Sequence, residues 1–450
     1  MKSLAKFILA VEPILLAIAV IAYWFAELTQ MNTPILLIPL VALIPPGLAR
    51  LILYRRLWIN TPLNLLLYLF LLLCAANTYF ALSHPDQAPY SWGWFELGRP
   101  IVGVVVALSI ASIVYERNDL NGSVLAIVLL GILVGVLGLT SAQYIGKSEE
   151  LQFLINHIPV YTNFPGAVGG FNVNEIGGAM TFFAPLTLGL ALYDWRARRT
   201  FLPALIATIA FLMIGLALFL GQSRLALIGA VLGIALVILI VIPRWRWRIV
   251  AYALLAVFCL IEFGIATDVF VGKNSSGLST PAFDQRDTQD LAQRPEIWKA
   301  AIALIEKYPL TGYGLNEFRR PEIRNEYVSD FAMVIVPHAH NEFLEVGVDA
   351  GVPGLLLYIA WTLVLAYMLW QAWRKGTPWL KAMAAAIAGG LIAHTIFGMA
   401  DAITMYDRFG FLYWLFVGLA GGVYALATRR EVVMETAVAT APTYRQPAKV

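Results

Sequence analysis

Twelve apolar runs, each long enough to cross the roughly 30 Å hydrocarbon layer of a bilayer as a helix, constrain this chain more than any other feature. They lie near 7–26, 34–53, 62–82, 98–116, 123–141, 174–194, 200–219, 224–243, 249–267, 351–371, 379–400 and 408–428. Backbone surrounded by lipid must close its hydrogen bonds internally, so runs of this length become helices. With 60% hydrophobic and only 13% charged residues, and a mean hydropathy of +0.74, the chain has too much apolar surface for one soluble core. The expectation is an all-α, polytopic transmembrane helical bundle of about twelve spans.

Charge orients the runs. Cytoplasmic connections retain Lys and Arg, and 19 of the 31 basic residues fall in the termini and short loops of one side, around Arg55, Arg117, Arg198, Arg246, Arg374 and Arg429. The short loops of the other side hold four: Arg99, Lys147, Arg224 and Arg408. Both termini are therefore expected in the cytoplasm, and the long loop near 268–341 outside. That loop carries eight basic and ten acidic residues, so the net charge of +3 reflects topology and not nucleic-acid binding. Four segments follow: spans one to nine over 1–267, an outer helical loop over 268–350, spans ten to twelve over 351–428, and a disordered tail over 429–450. Cys74 and Cys259 sit inside apolar runs and imply no disulfide framework. A first run of full span length, containing Glu12-Pro13, does not read as a cleavable signal.

Chemistry concentrates outside. The connection from Ser83 to Gly98 is aromatic, as at a membrane interface. Asn172, Asn174 and Glu175 enter the sixth span from a Gly-rich stretch. In the long loop, Arg294-Pro295-Glu296 predicts a helix start, with Trp298, Ala301, Ile302 and Ile305 at helical spacing and Pro309 as the stop. Gly312-Tyr313-Gly314 predicts a turn, lacking the strand and helix of a dinucleotide site, and Asn316–Asp330 predicts a second, charged helix.

Some polar residues exceed what topology needs. Arg224 opens the eighth span behind Gln222 and Ser223, which add donors beside it; snorkelling to lipid phosphate is the plain alternative. Arg294, one turn from Trp298, suits bidentate phosphate recognition, or simply pairs with Glu296 or Glu326. His338 and His340 admit three readings: surface residues, a metal site, or an acid/base. A metal needs a third ligand, for which Glu342, Glu345, Asp401 or His157 would have to be recruited. A general base is favoured, because an imidazole near pKa ~6.5 is mostly neutral at neutral pH yet able to take a hydroxyl proton. Asn341 would orient a ring or a substrate, Glu342 and Glu345 would cap or orient, and His394 would be satisfied between helices.

These pieces resemble the bacterial O-antigen ligase and O-antigen polymerase superfamily of lipid-linked oligosaccharide transferases. The resemblance rests on Gly170-Phe171-Asn172-Val173-Asn174-Glu175, Gln222-Ser223-Arg224-Leu225, Arg294 with Trp298, Gly312-Tyr313-Gly314, and His338-Ala339-His340-Asn341-Glu342-Phe343-Leu344, over about 166–354. The family's His-Asn-x9-Gly pattern falls on His340-Asn341 and Gly351. Its ligase form tends to finish with Thr where this chain has Gly354, which leaves a polymerase open. The position of the long loop between the ninth and tenth spans, and a short tail, favour a ligase.

The resemblance implies a GT-C-like bundle in a bacterial inner membrane with a periplasmic site. The donor would be an undecaprenyl-diphosphate-linked polysaccharide and the acceptor a sugar hydroxyl of lipid A-core, with a polyprenyl tail against membrane lipids and helix walls. His340, Arg224 and Arg294 would be catalytic, the arginines gripping diphosphate. His338, Asn341, Gln222, Ser223, Asn174, Trp298 and Tyr313 would bind substrate. No cofactor or metal is expected, and in-line attack predicts inversion. A polymerase using the same chemistry is the second reading. A lipid-linked sugar transporter is the third, against which stands the lack of matching halves.

Overall fold

The computed structural model describes residues 1–29, 34–83, 93–142, 156–158, 161, 163–164, 167–271, 284–320, 336, 338–399, 401 and 407–440. Among the described residues nine helices come first: α1 (Lys2–Thr29), α2 (Leu37–Tyr54), α3 (Asn64–Ser83), α4 (Gly93–Arg117), α5 (Leu120–Ser141), α6 (Val173–Tyr193), α7 (Phe201–Gly221), α8 (Arg224–Val241) and α9 (Trp245–Val271). After them come α10 (Asp284–Lys307), α11 (Glu342–Lys375), α12 (Pro378–Phe397) and α13 (Phe411–Thr440). A two-residue antiparallel pair, β1 (Asn163–Phe164) with β2 (Ala167–Val168), is the only sheet among the described residues. The chain is an all-α polytopic membrane protein. Among the described residues ten helices are long and apolar enough to span, and α3 and α9 occupy the other two apolar runs.

Without water to expel, helices in lipid associate through close packing, which small residues permit. The contact of α8 with α12 shows this. A Cβ on Gly229 would come within 2.4 Å of Ala393 O, and one on Gly233 equally close to Gly389 O. These two approaches run in opposite chain directions and fix an antiparallel register. Carried about one and a half turns further, it sets Arg224 level with Gly398, at the end of α12. At the opposite end of the bundle, the buried Arg50 closes on Glu12 at 2.6 and 2.7 Å and on Glu116 at 2.9 Å, tying α1, α2 and α4. That accounts for the carboxylate inside the first run.

A second, small core lies outside the bundle. Ile297, Ala300, Ala301 and Leu304 on one face of α10 pack with Tyr313, Phe318, Val336, Ala339 and Val348. Gly312 and Gly351, with φ of +68° and +67°, fit the turn against α11: a Cβ on Gly351 would meet Pro309 O at 2.7 Å, and one on Gly312 would meet Ala350 N at 2.6 Å. Gly351 breaks the helical backbone, so Glu342–Ala350 is a short outer helix kinked onto the spanning part of α11.

Two expectations need correction. Arg294-Pro295 is not a helix start, because α10 begins at Asp284 and runs through Pro295; the preceding residues contain no Gly or Pro to stop it. No α-helix begins at Asn316. Its left-handed φ of +61° and the bond from its N–H to Asp349 Oδ1 at 2.9 Å leave one 3-10 turn, Glu317–Arg319, before extended Arg320; 321–330 lies outside the described residues. Helix α13 continues to Thr440, and 441–450 lies outside the described residues. The aromatic stretch over 84–92 and Glu326 lie outside the described residues.

Candidate active site

The outer end of α11 organises the site. Asn341 caps the helix, its Oδ1 accepting from Phe343 and Leu344 N–H at 3.0 and 3.1 Å, while its Nδ2 donates to Met399 O at 2.7 Å. Glu342 N–H donates to Gly398 O at 2.8 Å, and its carboxylate lies 3.1 Å from His394 Nε2. His394 is buried and stacks on Phe182, with ring centroids 4.4 Å apart. Glu345 accepts from Ala339 N–H at 2.7 Å. The start of α11 is thus fastened to the end of α12 and, through Ala339, to the histidine segment. Both carboxylates and the asparagine are occupied in positioning.

These fastenings bring Asp401 beneath the histidines. His340 Nδ1 lies 3.2 Å and His338 Nε2 3.9 Å from Asp401 Oδ1, and Arg294 Nη2 lies 3.8 Å from Oδ2. The rings of His338 and His340 are edge to face with centroids 4.4 Å apart. His340 has the left-handed φ of +48°, uncommon for a side chain larger than glycine and concentrated at functional sites. Its N–H donates to His338 Nδ1 at 3.1 Å, and its carbonyl accepts from Trp298 Nε1 at 3.4 Å.

The electrostatics separate the two imidazoles. Burial, and then the neighbouring His340, push the His338 pKa down to about 4 despite Asp407 and Asp401, so it stays neutral at neutral pH. Burial would raise Asp401, but the hydrogen bond with His340 and the charges of His340, His338 and Arg294 outweigh it and hold the carboxyl at about 2. A carboxylate fixed at Nδ1 leaves Nε2 of His340 as the acceptor for a hydroxyl proton, the arrangement in which an acid orients a catalytic base. The same three side chains offer a cation a ligand set, their donor atoms lying within 4.8 Å of one another. Arg294 already neutralises Asp401, and a divalent ion there would sit against that guanidinium.

His338, His340, Asn341, Arg294 and Trp298 therefore gather at one place. Arg224 is exposed at the start of α8, at the same end of the bundle. Gln222 and Ser223 do not accompany it. Gln222 adopts φ +47°, which turns its side chain away to Phe219 O at 2.6 Å and Glu262 at 2.9 Å, and Ser223 is buried against Gly177. Tyr313 is only 5% exposed in the outer core, 5.4 Å from the Tyr308 ring, and burial pushes its phenol up to about 12. Asn174 sits in the first turn of α6, its N–H donating to Asn172 Oδ1 at 2.8 Å. Sequence reasoning considered Asp401 only as a metal ligand, and it overlooked Arg319 and Asp407, which lie within electrostatic reach of His338, and Arg408, which faces Glu175. Their signal was charge in an outer connection between two spans.

Residues 208–359 match the family model described as O-antigen ligase. This stretch is similar to the O-antigen ligase family. The matched segment is similar to the O-antigen ligase/polymerase superfamily, whose members are membrane glycosyltransferase-like enzymes acting on lipid-linked polysaccharides. The matched segment contains Arg224, Arg294, His338 and His340 but ends before Asp401 and Arg408. No curated protein matches the chain.

Proposed function

We propose that this protein is an O-antigen ligase, moving a polysaccharide from undecaprenyl diphosphate to a sugar hydroxyl of lipid A-core on the periplasmic face of the inner membrane. The observation that carries the reading is the His340–Asp401 pair at 3.2 Å with Arg294 beside it: an oriented base and a fork-shaped cation on one outer surface. His340 Nε2 takes the acceptor hydroxyl proton as that oxygen attacks the anomeric carbon. The bond from this carbon to the diphosphate oxygen breaks on the opposite face, and the configuration inverts. Arg294 and Arg224 stabilise the charge that gathers on the departing diphosphate. His338 and Trp298 border the reacting groups, while Asn341 and Tyr313 serve by positioning.

An apolar cavity of about 420 Å³ between α8, α11 and α12, lined by Leu236, Leu369, Trp370, Leu391 and Ile392, supports a lipid-tailed donor. Its outer lining includes Thr395 and Ile396, next to His394 below the site.

A polymerase would use the same groups on a second lipid-linked glycan. Cells lacking the protein separate the two. Loss of a ligase leaves polymerised, carrier-linked glycan beside unsubstituted core, whereas core bearing a single repeat unit identifies a polymerase and contradicts the ligase assignment.

A further inference from the structure

Beside the histidines stands a second group of charges that the transfer chemistry does not use. Arg319 Nη2 lies 3.9 Å from Asp407 Oδ1, and Arg408 Nη1 lies 3.7 Å from Glu175 Oε2. Both exceed the 2.7–2.9 Å of a closed charge-assisted hydrogen bond. Elsewhere the protein closes such pairs: Arg50 on Glu12 at 2.6 Å and Arg320 on Glu317 at 2.7 Å. The Nε atoms of Arg319 and Arg408 and the Oε2 atom of Glu175 are buried and make no hydrogen bond. Buried donors and acceptors of this kind are ordinarily satisfied. Asp401, Asp407 and Arg319 all lie within electrostatic reach of Glu175, and Arg319 and Asp407 within reach of His338, so the group is continuous with the site.

Aromatic rings lead outward from it. The Arg408 guanidinium lies 5.7 Å from the centroid of Phe171, and Phe171 contacts Phe409 and Phe164 at centroid distances of 5.9 and 5.6 Å. Phe164, on β1, meets Tyr161 edge to face at 5.8 Å, and Tyr161 is 55% exposed. Tyr161 is held by a backbone bond to Thr140 O at 2.6 Å. The row therefore runs from the buried floor of the charged group to an aromatic face open to solvent.

The chemistry of this surface selects its ligand. Two guanidiniums face two carboxylates, so a phosphate would meet Glu175 and Asp407 as well as the arginines and gain little. A sugar ring suits both signs: its hydroxyls donate to carboxylates and accept from guanidiniums, and its C–H face packs on an aromatic side chain. We propose that Arg319–Asp407, Arg408–Glu175, Phe164 and Tyr161 form a binding subsite for an uncharged sugar ring of a glycan chain, separate from the diphosphate grip of Arg294 and Arg224. The subsite rests on the transferase reading for its place in a reaction, but not for its ligand chemistry. The ring belongs either to the chain of the donor or to the acceptor core.

Titration of the detergent-purified full chain with two lipid-free oligosaccharides, one the O-antigen repeat and one the neutral outer core, tests this without turnover. One of them should bind, and its identity assigns the subsite to donor or acceptor. Arg408→Gln and Tyr161→Ala should each weaken that binding about tenfold, the scale of one lost bond or aromatic contact. Tyr161 is exposed, so its substitution leaves the fold intact, and Tyr161→Trp should retain binding. Binding of neither sugar, or equal binding to wild type and Tyr161→Ala, overturns the subsite. So does inorganic pyrophosphate binding that Arg408→Gln abolishes, which would make the group an anion site. Sugar binding in a protein that transfers no glycan would retain the subsite and reject the transferase.

Discussion

Asp401 Oδ1 lies 3.2 Å from His340 Nδ1 across 61 residues of sequence, and the proposed base role of His340 rests on this contact. His340→Ala should lower turnover by about 10² to 10⁴, the contribution of a positioned base. Asp401→Asn should approach that loss by mis-setting the tautomer. Because the two act as a unit, the double variant should be no slower than His340→Ala alone. Initial transfer rates of the three proteins check this, and additive losses would show that Asp401 acts independently of His340.

How much of this arrangement the sequence discloses depends on the range of the contact. The spanning helices are legible, since each is written in one continuous run. The pairing of His340 with Asn341 is legible as a motif, and the turn at Gly312-Tyr313-Gly314 shows in its glycines, with φ of +68° and +131° at Gly312 and Gly314. Asp401 is not legible, because its place depends on how α12 ends against α11, through Asn341 to Met399 and Glu342 to Gly398. Gln222 misleads for the opposite reason: adjacency to Arg224 suggests a shared target, but a single left-handed residue sends its side chain to Glu262.

His338 makes the protein sensitive to acid in a defined window. Its pKa falls from the ordinary 6.5 to about 4 in the fold. Between those values the unfolded chain binds a proton that the folded chain does not, so stability falls as pH drops from about 6.5 towards 4. Asp401, held at about 2 against its ordinary 3.8, adds a loss only below about pH 4. Thermal unfolding midpoints of His338→Asn between pH 7.5 and 4.5 should fall less steeply than those of wild type. Parallel slopes would assign the acid sensitivity elsewhere.

Arg294→Lys and Arg224→Lys should each fail to restore activity although the charge is kept. A diphosphate presents paired oxygens that a planar fork takes two at a time, whereas an ammonium is a point charge. Transfer rates near wild type in the lysine variants would assign these arginines to topology and surface pairing.

Gly351→Ala should destabilise the protein by about 1 to 3 kcal/mol from backbone strain alone, because φ +67°, ψ −173° is accessible essentially to glycine only. The added methyl would also press on Pro309 O. A lowered unfolding midpoint, with activity lost in step as the outer helix shifts, is the expected result; an unchanged midpoint would show that the kink does not hold the outer core to α11.

The most direct test is the initial rate of transfer from labelled undecaprenyl-diphosphate-linked polysaccharide to rough lipopolysaccharide by purified protein in excess EDTA. Wild type should form labelled product at the rate seen without chelator, and His340→Ala should be slower by about 10² to 10⁴. Loss of wild-type transfer in EDTA with recovery on adding a divalent ion would assign His338, His340 and Asp401 to a metal, and an undiminished rate in His340→Ala would remove the base from the mechanism.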